Sequence, residues 1–268
     1  MTKTLPKDLT IYDLLKTLAV FLMIIDHVGF YLYLDDSWWR VFGRLCVPIW
    51  FFLIGYANTR DLGPRMWGGA LIVAFAIMAA GITVFPVNIL ASMIIIRLLL
   101  DKVMAFALKD KNTFWAVNVL LFLLIIPSGM LFEYGTQGLI LASFGWLMRR
   151  RNQYAKDKDF LNHYFAFAAA GFIVTQYIMF GFTQAQLIVL AIGIIIIMGI
   201  LFLFKPKTLP NLSKRLPSPF VWLLKLTGRR TLEIYVAHII VLTIIGLMSD
   251  PARFSLFDFS LFYLGPKT

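Results

Sequence analysis

Nine apolar runs, most of them near the length that crosses a lipid bilayer, dominate this chain and leave little freedom over its fold. They fall near residues 12–34, 42–57, 67–85, 88–107, 114–126, 132–148, 161–181, 185–204 and 231–247, with Pro, Gly and charge clusters between most of them. A spanning helix needs roughly 20 mostly apolar residues, with shorter or longer runs allowed by tilt. The runs show no sustained period-2 alternation, which argues against strands and a β-barrel. The pattern predicts an all-α, polytopic integral membrane helical bundle of about nine transmembrane helices (eight to ten), in a single transmembrane domain over residues 1–268. Composition agrees, because 60% of the 268 residues are apolar and only 15% charged, against about 25% charged in a soluble domain. So little polar material cannot clothe a water-facing surface, which excludes soluble enzymes, secreted disulfide scaffolds and disordered regulators. Cys46 is the one cysteine and forms no internal disulfide.

A net charge of +11 would suggest nucleic acid in a soluble protein, but in a membrane protein it reports orientation, and no nucleic-acid partner is expected. Lys3, Lys7, Arg60, Arg65, Lys102, Lys109, Lys111, Arg149, Arg150, Arg151, Lys156, Lys158, Lys205, Lys207, Lys214, Arg215, Lys225, Arg229 and Arg230 fall on alternate connections. Arg40, Arg44, Arg253 and Lys267 fall on the others. The rule that short cytoplasmic loops are the basic ones therefore puts the N-terminus in the cytoplasm and the C-terminus outside, in a bacterial inner (cytoplasmic) membrane crossed several times. The first run is too long for a signal-peptide core, so it is expected to be retained. Residues 205–230 read as a basic cytoplasmic loop at the interface with a short amphipathic helix at 219–226, and the tail at 250–268 as an interfacial segment at the outer face.

Ionisable side chains cost roughly 2.5–3.5 kcal/mol or more at the centre of a bilayer, so each needs a partner or a task. At about 100° per residue, Asp13, Lys16, Val20, Met23 and His27 form one stripe along the first span, with Asp26 a quarter-turn from His27. Asp13 and Lys16 stand at i, i+3 and can pair. His27 can take or give a proton near neutrality. Asp26 either orients that imidazole or pairs with a cation of another span, for which Arg44 has a compatible depth. Gly43 and Gly55 permit close helix approach, and Pro48 is placed to kink the second span. Arg97 and Asp101, at i, i+4, either neutralise each other or serve a site. Asn88, Glu133, Tyr134 and Gln137 lie at outer helix ends, as caps or as part of an open site. His238 either lines an inner vestibule or bonds to a neighbouring helix.

The chain has no Walker loop, G-x-G-x-x-G, H-E-x-x-H or G-x-S-x-G, and its three dispersed histidines with one cysteine make a metal or haem site unexpected. The chemistry to expect is acid–base or binding. The stretch from Tyr12 to Asn58, with Asp13, Lys16, Met23, Asp26-His27, Gly43-Arg44, Pro48 and Gly55 in that order, resembles the start of the TraX family, conjugation-associated membrane proteins implicated in N-acetylation of pilin. Asn88-Ile-Leu, YGTQGLILA from Tyr134 to Ala142 and IYVAHIIVL from Ile234 to Leu242 are similar to later blocks of that family. The segment from Gly228 to Tyr235, followed by His238, also resembles a late motif of multi-span acyltransferases of the acyltransferase-3-like and lysosomal glucosaminide acetyltransferase-like kinds. The chain lacks the R-x-x-D opening of that wider group.

By this resemblance the chain is a membrane acetyltransferase with acetyl-CoA as co-substrate and His27 as the catalytic residue. Asp26 or Arg44 would orient His27 or stabilise charge. Lys16, Arg229, Arg230 and His238 would contact the donor, Arg229 and Arg230 through its phosphates. The acceptor would be an amine or hydroxyl on a protein N-terminus, a glycan or a lipid. Two other classes stand beside this expectation: a catalytically silent accessory subunit of a larger membrane complex, and a proton-coupled transporter, since buried Asp, His, Lys and Arg also build proton relays.

Overall fold

A computed structural model describes residues 6–154 and 157–262. Lys3, Lys156, Lys267 and the last part of the tail lie outside the described residues. Among the described residues the structure is helical, with only two isolated bridges, Thr10 to Thr208 and Val87 to Phe132. The chain is thus an all-α membrane bundle. Five segments are long and apolar enough to cross a bilayer: 11–32, 38–56, 159–180, 184–202 and 231–249. The other predicted runs are also helical but shorter or more charged.

The helix order follows the predicted runs. α1 is Ile11–Leu32, α2 Trp38–Gly43, α3 Cys46–Tyr56, α4 Pro64–Ala79, α5 Ile89–Ala107, α6 Lys111–Leu123 and α7 Ile125–Gly129. α8 is Gly135–Arg149, α9 Lys158–Phe180, α10 Gln184–Phe202, α11 Pro210–Arg215, α12 Ser218–Arg229 and α13 Thr231–Ser249. The second run is therefore two helices broken at Arg44 and Leu45. Pro48 is one cause, because without an N–H it cannot donate to the Arg44 carbonyl. The first turn instead tightens through the Val47 N–H to Arg44 O contact of 3.2 Å.

Helix ends alternate between two faces. At one face the Ile11 N–H donates to Lys207 O (3.0 Å) and the Leu209 N–H to Leu9 O (2.7 Å), Arg60 grips Asp101 through both carboxylate oxygens (3.1 and 3.2 Å), and Arg149 donates to Tyr56 O (2.9 Å). At the other face the Val87 N–H donates to Leu131 O and the Glu133 N–H to Val87 O, both 3.0 Å, while Arg253 donates to Phe30 O (2.7 Å). The tail folds over this second face, with the Val84 N–H on Ser260 O (3.0 Å) and Phe254 stacked on Tyr31. The basic connections gather at the first face, as the charge asymmetry predicts.

Small residues bring the central helices into backbone contact. A Cβ added at Gly55 would sit 1.8 Å from the Ala142 carbonyl oxygen, and one at Gly145 2.1 Å from that of Phe52, so α3 and α8 interlock through reciprocal glycines. Farther out, Asp110 caps α6 by accepting from the Thr113 N–H (2.9 Å), and Lys111 pairs with Asp157 at 2.5 Å. That ammonium and the Phe160 N–H hold the Asp157 carboxyl below the usual carboxylate range.

Candidate functional site

α1 begins at a capping box: the Thr10 hydroxyl accepts from the Asp13 N–H (3.1 Å), and Asp13 Oδ2 accepts from the Thr10 N–H (2.9 Å). Asp13 is also held by Arg229, whose Nε and Nη2 both lie 3.0 Å from its two oxygens. The pairing of Asp13 with Lys16 is therefore not the one formed. Lys16 instead lines a cavity of about 640 Å³ and has no ion-pair partner within 4 Å among the described residues.

The cavity reaches exposed residues at the basic face, Pro6, Asn58 and Thr59, and extends to Asp26, His27, Cys46, Glu133, Tyr134 and Tyr235. Its basic end carries Lys16, Arg97, Arg149 and Arg229, and its middle is apolar, with Met23, Leu53, Ile54, Leu90 and Met93. At 1.5 Å per residue, Lys16 and His27 stand about 16 Å apart along α1. The stripe of the first span is thus the floor of a long cavity, cationic at one end and bearing an imidazole near the other. Arg97 does not neutralise Asp101. It donates to Asp61 O (3.0 Å), while Asp101 takes Arg60 and the Trp146 indole N–H (2.9 Å).

His27 has a partner that no sequence spacing announces. Its Nδ1 lies 2.9 Å from Met23 O and 3.1 Å from Nε2 of His238, and Nδ1 of His238 lies 2.9 Å from Ile234 O. A carbonyl oxygen only accepts, so each Nδ1 carries a proton. His238 Nε2 then accepts from His27 Nδ1–H, and His27 Nε2 keeps its lone pair. Tyr235 meets both rings edge-on, at 5.9 and 5.5 Å between centroids. His238 is not in the cavity wall; it stands behind His27 and fixes its tautomer.

Asp26 serves two arginines. Arg40 Nη1 lies 3.0 Å from Asp26 Oδ2 and donates to the Asp26 backbone oxygen (2.8 Å), and Arg44 Nε lies 3.4 Å from Oδ1. Gly43 makes this approach possible, since a Cβ there would be 2.3 Å from Asp26 Cβ. Arg44 also donates to the Tyr134 hydroxyl and lies over the Phe180 ring, 4.6 Å from its centroid. Tyr134 adopts the left-handed region at φ 67°, a conformation that costs a non-glycine residue on the order of 1–3 kcal/mol and persists where its surroundings hold it. Arg40 is the residue the sequence reading missed. Its i, i+4 spacing from Arg44 was the available signal, since a helix face that presents one to α1 presents both.

Of the four expected donor contacts, Lys16 and Arg229 line the cavity and Arg230 and His238 do not. Arg230 instead meets Glu233 at 3.4 Å, and Arg65 of α4 pairs with the same carboxylate. Asn88 is a cap, accepting from the Leu90 and Ala91 N–H groups (3.1 and 3.3 Å).

Fold and site together define a helical membrane protein with a cavity that opens at the basic face, is lined there by Lys and Arg, and runs inward to a paired imidazole. Residues 12–246 match the family described as TraX protein, and the chain belongs to the TraX family. It is 32% identical over 141 residues to an uncharacterised protein of Rickettsia prowazekii, covering 50% of this chain and 54% of that one. It is 36% identical over 84 residues to Protein TraX of Escherichia coli K12 (29% and 34% of the two chains), and 27% identical over 151 residues to another Escherichia coli Protein TraX (54% and 58%). These alignments span about half the length of the relatives, or less. No solved structure matches the chain.

Proposed function

We propose that this protein is a multi-pass acetyltransferase of the bacterial inner membrane, N-terminus in the cytoplasm, that carries an acetyl group from cytoplasmic acetyl-CoA to an amine or hydroxyl acceptor at or across the membrane. The observation that carries this reading is the gradient within one cavity: Lys16, Arg97, Arg149 and Arg229 at its basic end and His27, with Nε2 free, near the other. Anionic phosphates suit the cationic end, where guanidinium and ammonium groups give charge-assisted contacts. An extended thioester arm suits the apolar middle, and a volume of about 640 Å³ is within the usual range for a small-molecule site.

In the transfer, His27 Nε2 takes the proton of the acceptor N–H or O–H as the new bond to the acyl carbon forms. The thioester C–S bond breaks, and CoA leaves as the thiol by taking that proton from His27 Nε2–H, which restores the neutral imidazole. The Tyr134 hydroxyl lines this end and can stabilise the oxyanion, while Arg44, which does not line the cavity, acts through it by donating to that hydroxyl. Asp26 contributes by holding Arg40 and Arg44, and His238 by holding the His27 ring. The test is CoA-thiol release from acetyl-CoA by the purified chain, with a short unblocked peptide and an amino sugar as acceptors. His27→Ala is expected to lower turnover by about 10²–10⁴; undiminished turnover overturns the assignment.

A further inference from the structure

The molecule carries a second charged surface that this chemistry does not use. Residues 205–230 hold seven Lys and Arg and no acidic residue. Arg229 is committed to Asp13 and Arg230 to Glu233, which leaves Lys205, Lys207, Lys214, Arg215 and Lys225 without an acidic partner within 4 Å among the described residues. α12, in the same segment, turns one edge to α1: Thr17 donates to Leu224 O (3.1 Å), meets the Thr227 hydroxyl at 2.7 Å, and a Cβ added at Gly228 would lie 2.6 Å from Asp13 O. Trp222 and Leu226 are exposed on the opposite side with Leu223 at their flank, all three within about 100° around the helix, and Phe220 in the first turn is exposed as well.

An apolar helix face with an aromatic ring, at the basic face of the bundle and beside unpaired cations, is the arrangement that buries in the acyl-chain boundary while its cations meet headgroups. Acidic headgroups are favoured over zwitterionic ones because each juxtamembrane Lys or Arg gains attraction from negative surface charge. We infer that α11 and α12 form a binding site for anionic phospholipid of the leaflet at the basic face. Trp222, Leu223 and Leu226 are buried among acyl chains and Lys214, Arg215 and Lys225 contact the phosphates. The choice of lipid over a protein partner rests on charge, since a protein groove would have to supply carboxylates to five cations as well as an apolar surface. The same helix supplies Gly228 and Arg229 to the cavity wall, so the lipid would sit beside the cavity's basic end.

The full chain in nanodiscs of phosphatidylcholine tests this, with a small fraction of brominated phosphatidylglycerol or, at the same mole fraction, brominated phosphatidylcholine. The signal of Trp222 is isolated by difference from Trp222→Phe. Quenching by the acidic lipid about threefold or more above that by the zwitterionic lipid is expected at low salt, falling toward parity at high salt and in Lys214→Glu/Arg215→Glu/Lys225→Glu. Equal quenching by both lipids overturns the proposal, as does absence of quenching by either, which would show the face covered by something other than lipid. Should the triple variant fail to fold, the salt dependence of the native chain decides alone. Neither readout involves acyl transfer, so failure here and failure of the acetyltransferase reading are separate results.

Discussion

The two aspartates of α1 are held by the same device at opposite ends of the helix. At the end away from the basic face Gly43 touches the Asp26 backbone and Arg44, the next residue, reaches its carboxylate. At the basic end Gly228 touches the Asp13 backbone and Arg229, again the next residue, reaches its carboxylate. In each case a glycine lets one helix lie against another without a Cβ between them, and the adjacent arginine neutralises a charge that would be costly in lipid. The two ends differ in setting. Asp26 meets two arginines and all three groups are largely buried, with side-chain exposures of 7, 14 and 9% for Asp26, Arg40 and Arg44. Asp13 and Arg229 are buried to a similar degree, with side-chain exposures of 6 and 17%, but Asp13 meets one arginine rather than two, and Arg229 lines the end of the cavity that reaches the surface. The Asp26 end is a fixed electrostatic frame for the imidazole pair, whereas the basic end is a latch between α1 and α12 that also presents cations.

This contrast can be broken by substitution. Asp26→Ala should cause the largest loss, about 3–5 kcal/mol, because it strands two buried guanidiniums; thermal unfolding in detergent reads it, and a loss equal to that of Asp13→Ala would erase the distinction between the ends. Asp13→Ala should cost less, about 1.5–3 kcal/mol for hydrogen bonds to a charged group, and should speed protease cleavage within residues 205–230 as α12 loosens. Gly43→Ala and Gly228→Ala should each cost about 1–3 kcal/mol through overpacking. Gly43→Ala should also lower turnover, since it displaces Asp26 beside His27, and unchanged turnover in a folded Gly43→Ala protein would contradict the frame role.

The exposed Lys111–Asp157 pair supplies the smallest effect. Because the folded-state Asp157 carboxyl titrates below the ordinary value, its stabilisation is present above the unfolded-state pKa and is lost as pH falls through the folded one. Asp157→Asn should therefore lower the melting temperature slightly at neutral pH and converge with the native chain in acid. A difference that grows on acidification would mean that the pair does not stabilise the folded chain through the ionised Asp157.

Much of the bundle was legible because lipid solvation imposes long runs, and each run emerged as a helix or a broken pair. The stripe Asp13, Lys16, Met23, His27 was legible from helical period alone and does line a cavity. Arg44 was found for Asp26 because the two lie in consecutive spans, where topology fixes relative depth. Arg229 on Asp13 and His238 on His27 were not found, because each joins residues more than 200 positions apart through the packing of α12 and α13 on α1. Periodicity within one helix does not encode which distant helix faces it. Arg97 and Asp101 show the converse: a sound local spacing lost to Arg60, Trp146 and the Asp61 carbonyl, partners that tertiary packing brought nearer.

If the cavity along α1 takes an anionic thioester donor, as we propose, calorimetric titration of CoA into the purified chain reads that binding without any acceptor. Saturable binding at one site is expected, with a Kd between about 1 μM and 1 mM, weakened by rising salt and by Lys16→Ala. The absence of saturable heat up to millimolar CoA, or binding indifferent to both salt and Lys16→Ala, would contradict it.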